Sequence, residues 1–180
     1  MTIAGSTAGD SPPLCVVVGA SGILAPLGAL LHNDGYRTIG ISRGSRIGAG
    51  DWDVRVALDA TDVDEVVGWL TGLRERPDLL IGYDPALSDA TWPLLAAAAS
   101  RTIVVATSRW GMVDPGQTPW SAIPDPVVLQ LGWLDAPAGP RWHVATEISV
   151  AVQRLVTDPA VRFSRLGHVN PPSQLPRGSS

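Results

Sequence analysis

A run of five apolar residues followed by a run of small ones constrains this chain most. The run Leu14–Val18 contains three consecutive valines, which is typical of a strand buried on both faces of a parallel sheet. The next four residues, Gly19, Ala20, Ser21 and Gly22, are small. Ile23 and Leu24 follow them in a leucine-rich helix predicted over 22–34. Backbone N–H groups left free where a helix begins bind anions. We therefore expect this turn to bind the pyrophosphate of a dinucleotide, the alternative being a packing turn without a ligand.

Apolar runs and helical periodicity alternate along the rest of the chain. They predict strands over 14–18, 37–42, 54–58, 78–82, 102–106, 127–134 and 161–169, and further helices over 63–75, 86–99 and 146–157. Strands that alternate with helices in this way form right-handed βαβ units and a parallel sheet. The predicted fold class is α/β, a single-domain Rossmann-like doubly wound parallel sheet with strand order 3-2-1-4-5-6-7. This domain is expected to span 13–169, between a mobile N-terminal tail (1–12) and a disordered C-terminal tail (170–180).

Composition narrows the class of protein. Of the 180 residues, 45% are hydrophobic and 17% are charged, as in a globular domain. The net charge of −4 and the lack of a basic cluster argue against nucleic-acid binding. No apolar segment is long enough to span a membrane, and the first ten residues lack a secretory signal, so a cytoplasmic protein is expected. No group of His, Cys, Asp and Glu residues has the spacing of metal ligands.

Three stretches resemble the short-chain dehydrogenase/reductase family. Gly19–Ala25 resembles its glycine-rich turn, Gly35–Arg43 its second strand, and Asp59–Asp62 the acidic turn that lies by the adenine. The resemblance covers residues 14–106 and implies a Rossmann fold with a nicotinamide cofactor. A weaker similarity, over 141–149, links the chain to small bacterial proteins labelled as short-chain dehydrogenases.

The chain departs from that family in its catalytic residues. The family uses a Tyr and, four residues later, a Lys, both in one helix. Here all thirteen basic residues are Arg, and the two tyrosines are Tyr36 and Tyr83. The helix that would carry the pair is replaced by the proline-rich segment 107–126. Carbonyl reduction by the Tyr/Lys mechanism is therefore excluded.

The residues after the second strand indicate the choice of cofactor. An acidic residue there would favour NAD, whereas this chain has Ser42 and Arg43. A guanidinium can bind a 2′-phosphate through two hydrogen bonds, and Ser42 can donate to it, so NADP(H) is favoured over NAD(H). The alternative is a solvated arginine at a strand end. Asp59 and Ala60 are predicted beside the adenine, although Asp59 is equally explained as a turn acid.

Further candidates follow the fourth and fifth strands, at the carboxyl edge of the sheet where ligands bind. Gly82 and Tyr83 are predicted beside the nicotinamide ribose. Ser108 matches the general place of the family's catalytic Ser, and Arg109 is a candidate for holding an anionic substrate. His143 is a candidate proton donor because histidine titrates near neutral pH. A structural role is the alternative for each of them.

These features favour an NADP(H)-dependent reductase of a small carbonyl or imine/iminium substrate. A first alternative is a non-redox Rossmann scaffold, either cyclase- or isomerase-like or nucleotide-sensing. A second is a structural protein whose tryptophan-rich half forms an interface. The tryptophans of that half, Trp110, Trp120, Trp133 and Trp142, are consistent with a substrate pocket, a dimer face or core packing, and so leave a homo-oligomer open.

Overall fold

The computed structural model describes residues 11–44, 50–112 and 117–168, without the side chains of 111 and 112. Its strands are β1 (Leu14–Val18), β2 (Arg37–Ser42), β3 (Val54–Ala57), β4 (Leu79–Tyr83), β5 (Arg101–Ala106), β6 (Val127–Leu131) and β7 (Phe163–Leu166). Its α-helices are α1 (Leu27–Asn33), α2 (Val63–Gly72), α3 (Thr91–Ala98) and α4 (Ala145–Thr157). Short 3₁₀ helices follow β4 (Asp84–Ala86) and β5 (Ser108–Met112). The predicted tails lie mostly outside the described residues and stay predictions, as do the domain limits.

The seven strands form one parallel sheet in the order β3-β2-β1-β4-β5-β6-β7. This confirms the predicted fold class and strand order. Val16 of β1 pairs with Ile39 of β2 on one side and with Leu80 of β4 on the other. All five residues of β1 are buried, as the unbroken apolar run predicts for a central strand.

Alternate residues of the central strands pack into two hydrophobic layers, one on each face of the sheet. Cys15 and Val17 pack on one face with residues of α1 and α4. Val16 and Val18 pack on the other face with residues of α2 and α3. The sheet is therefore covered by helices on both faces, so its carboxyl edge is where the loops that can hold a ligand meet.

The prediction for the first helix is wrong at its start. The helix begins at Leu27 instead of residue 22, after a series of tight turns in which Ala25 donates to the Gly22 carbonyl at 3.0 Å and Leu27 to that of Leu24 at 3.0 Å. Pro26 explains the delay, because it has no N–H to donate to the Gly22 carbonyl and its ring disfavours an α-turn there.

The third helix and the last two strands are also shorter than predicted. The third helix begins at Thr91 instead of residue 86, because Ser88 and Thr91 exchange hydrogen bonds between backbone N–H and side-chain oxygen at 3.0 and 3.3 Å. Strand β6 ends at Leu131 and strand β7 covers only Phe163–Leu166.

None of the described helices is long and apolar enough to cross a membrane. In the described part of the chain, no three His, Cys, Asp or Glu side chains are grouped so that they could hold a metal ion.

Candidate functional site

The turn after β1 is fixed in place by its first two residues. The N–H groups of Gly19 and Ala20 donate to the carbonyl of Ile41 in β2, at 3.0 and 3.1 Å. Gly19 has a φ of +93°, a conformation that favours glycine. A Cβ at this position would stand 2.9 Å from the Cβ of Tyr83. Glycine is therefore required here both by its backbone angle and by the close approach of β4.

The next residues of the turn present free donors. Among the described residues, no partner accepts a hydrogen bond from the N–H of Ser21, Ile23 or Leu24, whereas Gly22 donates weakly to the Gly19 carbonyl at 3.4 Å. Successive free N–H groups in a turn make a concave anion site. Because α1 begins only at Leu27, the attraction for an anion comes from these turn donors more than from the positive end of the helix dipole.

A cavity of about 340 Å³ lies against this turn. Eight of the predicted cofactor residues line it: Gly19, Ser21, Gly22, Ile23, Ser42, Arg43, Ala60 and Tyr83. Sequence reasoning missed five other lining residues, namely Val18, Ile41, Leu58, Pro85 and Ala86. All five lie at or just after the carboxyl end of a strand, so the rule that ligands bind at this edge would have indicated them.

Ser42 and Arg43 form the end of the cavity at β2. The hydroxyl oxygen of Ser42 is buried and has no hydrogen-bond partner, which is costly unless a ligand supplies one. Arg43 is exposed at the mouth of the cavity. This end of the cavity therefore offers one unsatisfied buried hydroxyl and one positive charge.

Asp59 does not line the cavity with its neighbours Leu58 and Ala60. Its carboxylate accepts hydrogen bonds from the hydroxyl and the N–H of Thr61, at 2.7 and 3.0 Å. These two bonds, followed by the positive charge of Arg43, hold the pKa of Asp59 below its usual value. This geometry is that of a turn acid, the alternative that the sequence left open.

Three other predicted cofactor residues have packing roles. Ala20 and Leu24 are fully buried in the core. Gly82 faces the indole of Trp92, and a Cβ at this position would overlap that ring. Their side chains therefore do not reach the cavity, although the backbone N–H of Leu24 remains free.

Tyr83 ends β4 and is half-buried at the cavity wall. Burial, and then the negative charge of Asp84, raise the pKa of its phenol. The phenol is therefore protonated at neutral pH and able to donate a hydrogen bond.

Ser108 begins the 3₁₀ helix after β5 and is half-buried, but it is not among the described residues that line the cavity. The carboxylate of Asp84, 1% exposed, instead connects this segment to β4. Its Oδ2 accepts hydrogen bonds from Arg109 Nη2 and from Trp110 Nε1, both at 2.7 Å. The guanidinium of Arg109 also stacks 4.7 Å from the centre of the Trp110 ring. The guanidinium of Arg109 is therefore paired with a carboxylate of the protein, whereas the sequence made it a candidate for holding an anionic substrate.

His143 lies at the opposite end of the sheet's carboxyl edge. Its Nε2–H donates to the carbonyl of Leu166 in β7 at 2.7 Å, and its Nδ1 is buried without a hydrogen-bond partner, 3.7 Å from a carboxylate oxygen of Glu147. Strands β4 and β7 are three strand spacings apart, or about 14 Å. The structure therefore does not bring Tyr83, Ser108 and His143 together, and it gives His143 the contacts of a structural residue.

No protein-family model matches the sequence, and no curated protein matches it. Solved structures do match the fold. BdcA in complex with NADPH superposes with a TM-score of 0.63 over 87% of this chain and 93% of that chain, at 14% identity. A variant of the actinorhodin polyketide ketoreductase with NADPH gives 0.60 over 87% and 95%, also at 14% identity. A short-chain dehydrogenase/reductase from Vibrio parahaemolyticus gives 0.57 over 85% and 98%, at 10% identity.

The chain has the fold of the short-chain dehydrogenases/reductases. These structural neighbours extend over most of the chain, which confirms the fold implied by the sequence resemblance. The cavity against the β1 turn occupies the carboxyl edge of the sheet between β1, β2 and β4, where such folds bind dinucleotides.

Proposed function

We propose that this chain binds NADP(H) in the cavity against the β1 turn and acts as an atypical reductase of a small carbonyl or imine/iminium substrate. The observation that carries the proposal is the pairing of two features in one cavity. Free turn N–H groups stand at one end, and Ser42 with Arg43 stands at the other.

The residues present fit a phosphorylated dinucleotide. The free N–H groups of Ser21 and Ile23, both of which line the cavity, match the acceptors of a pyrophosphate. The buried hydroxyl of Ser42 lacks a partner, and a ribose oxygen or its 2′-phosphate would supply one. Arg43 adds a guanidinium suited to the same phosphate. Two of the structural neighbours, BdcA and the ketoreductase, are themselves complexes with NADPH.

The extent of the cavity limits what this chain contributes to chemistry. Its lining residues come from β1, β2, the loop after β3 and the segment 83–86 after β4. This corresponds to the adenosine and pyrophosphate half of a dinucleotide. The nicotinamide, when bound, would supply the hydride. The chain's own residues would hold the adenosine and pyrophosphate half of the cofactor and so position the nicotinamide.

One observation favours the non-redox alternative. His143 lies near β7, away from Tyr83 in β4, and donates to a main-chain carbonyl, so among the described residues no acid–base group beyond the Tyr83 phenol lines the cavity. A substrate that is already electrophilic, such as an iminium ion, needs no such group. A carbonyl substrate does, and for it the protein would bind the nucleotide without turnover.

Titration of the purified protein with NADPH and with NADH, followed by nucleotide fluorescence, tests the proposal. We expect Arg43→Ala to weaken the binding of NADPH about tenfold, the equivalent of ~1.4 kcal/mol, and to leave the binding of NADH nearly unchanged. Arg74→Ala, which removes an exposed arginine far from the cavity, is the matched control. Equal losses for the two nucleotides would refute the 2′-phosphate assignment, and binding of neither at millimolar concentration would refute the proposal.

Gly22→Ala tests the turn without disturbing the fold. A Cβ there would meet only the Gly19 carbonyl oxygen, 4.0 Å away, so the protein tolerates it. The added methyl would instead occupy the space at the cavity that a pyrophosphate needs. We expect unchanged unfolding with at least tenfold weaker binding of both nucleotides, and unchanged binding would move the site away from this turn. Turnover with carbonyl and iminium substrates then separates the reductase from the non-redox scaffold.

A further inference from the structure

A second concave site lies at the opposite, amino edge of the sheet. It is a groove of about 720 Å³, within the range of small-molecule sites. Its walls are one face of α3 and the segments that lead into β4, β5, β6 and β7. None of the residues that line the β1-turn cavity takes part in it, so the two sites are separate.

The groove carries a concentration of positive charge. Arg76, Arg101 and Arg162 line it, with Asp125 as its single acidic residue among the described ones. Asp125 pairs with Arg162, at 2.9 Å between Oδ2 and Nη2. Two net positive charges therefore remain in the groove, although the whole chain has a net charge of −4.

These remaining charges are held in place by main-chain carbonyls. Arg76 donates to the carbonyl of Ala99 at 2.8 Å. Arg101 donates to the carbonyls of Leu155 and Val156 at the end of α4, at 2.5 and 3.0 Å. Carbonyls fix the direction of a guanidinium but do not neutralise it, and neither arginine forms an ion pair within the described residues. The Nε of Arg101 is also buried without a partner. The groove thus presents pre-positioned cations that lack a counter-ion.

The remainder of the lining is small and mostly apolar. It consists of prolines, alanines and one isoleucine, together with the hydroxyl-bearing Ser100 and Thr102: Pro93, Ala96, Ala97, Ala99, Ala122, Ile123, Pro124 and Pro159. Thr102 is 6% exposed, and its hydroxyl has no partner among the described residues. An apolar body with an anionic head would satisfy both parts of this surface.

We propose that this groove binds a small amphipathic anion, a carboxylate or phosphate group on a short aliphatic body. The head group lies among Arg76, Arg101 and Arg162, and the body lies along the proline and alanine wall. The inference does not depend on the proposed nucleotide site.

Calorimetric titration with octanoate and with octyl phosphate tests this inference, with 1-octanol as the uncharged control. We expect both anions to bind the full chain and the alcohol to bind at least tenfold more weakly, since a charge-assisted hydrogen bond of ~1.4 kcal/mol corresponds to about tenfold. The tighter of the two anions identifies the head group. Binding should weaken as salt is raised, because the exposed arginines are screened. Equal binding of the alcohol would overturn the proposal.

Substitutions within the groove provide the decisive comparison. Arg76→Ala and Arg162→Ala should each weaken the binding of both anions several-fold. Asp125→Asn should tighten them several-fold by removing the one negative charge, and asparagine tolerates the φ of 48° at that position. The gain in affinity cannot arise from misfolding, so an unchanged affinity for Asp125→Asn would overturn the proposal. Loss of anion binding in Gly22→Ala with no effect of the groove variants would also overturn it, by moving the anion to the β1 turn.

Discussion

The carboxylate of Asp84 is predicted to hold the wall of the cavity against the β1 turn to the segment after β5. It follows Tyr83, precedes two lining residues of the cavity and is 1% exposed. It accepts hydrogen bonds from Arg109 and Trp110, both at 2.7 Å. Removing it with Asp84→Ala should therefore lower the free energy of unfolding and loosen the cavity at the same time.

The size of the effect follows from the exposure of each partner. A hydrogen bond to a charged group contributes about 1.5–3 kcal/mol. The hydrogen bond from Trp110 Nε1 to Asp84 should contribute that amount to the free energy of unfolding. The side chain of Arg109 is 58% exposed, so water screens its ion pair and its share falls to about 0.5–1 kcal/mol. We therefore expect Asp84→Ala to cost about 2–4 kcal/mol, and Arg109→Ala to cost about 1 kcal/mol.

Urea unfolding of the wild type and of the variants measures these costs. Asp89→Ala, at an exposed acidic residue, makes the same change of charge and should stay within about 0.5 kcal/mol of the wild type. A double-mutant cycle between Asp84 and Arg109 should give a coupling of about 0.5–1 kcal/mol. NADPH should also bind more weakly to Asp84→Ala. A loss of stability below about 0.5 kcal/mol would refute the reasoning, because it would place Asp84 among ordinary surface residues.

Three further substitutions test other parts of the fold. Gly68→Ala, at an exposed position of α2 where a Cβ meets nothing within 4 Å, should raise the free energy of unfolding by about 0.5–1 kcal/mol, measured by urea unfolding. Gly19→Ala should lower the midpoint of thermal unfolding markedly, because it places a Cβ at a positive φ and 2.9 Å from that of Tyr83; an unchanged midpoint would contradict the described turn. Arg141 and then the N–H of Val144 lower the pKa of Glu147 from 4.5 to about 2, so the stability that this carboxylate contributes is present above pH 4.5 and is lost as the pH falls towards about 2. Glu147→Gln should therefore lose less stability than the wild type across that window, and equal losses would contradict the assignment.

The fold could be predicted because its signals are local. Each central strand is a short apolar run, the right-handed βαβ rule fixes the hand of each crossover, and the order of strands is the one typical of the Rossmann fold. The errors at helix starts were local too. Pro26 and the pair Ser88 and Thr91 are visible in the sequence and mark the true starts, whereas the helical periodicity of the apolar residues extends further towards the N-terminus.

The candidate site was predicted less evenly. Eight of the predicted cofactor residues line the cavity because the turn after β1 and the ends of neighbouring strands meet by topology alone. Gly82 is one of the predicted cofactor residues, but its Cα faces α3 and leaves room there for the indole of Trp92. His143 depends on a contact with Leu166, twenty-three residues away, and no local pattern indicates such a bond. The sequence could indicate which edge of the sheet carries the cavity, but not which polar side chains lie close together at that edge.

Aromatic side chains join the segment after β5 to β4. The segment after β5 is joined to β4 by Asp84, and its Trp110 packs edge-on against Trp120 at 5.4 Å between ring centroids. Trp120 packs in turn against Trp92 at 6.4 Å, and Trp92 lies over Gly82 of β4. These three indoles therefore pack the segment after β5 onto β4, and none of them lines the cavity. Among the described residues, the Tyr83 phenol is the one acid–base side chain that lines the cavity, so the proposed reductase would act on an iminium ion more readily than on a ketone, which needs a proton donor.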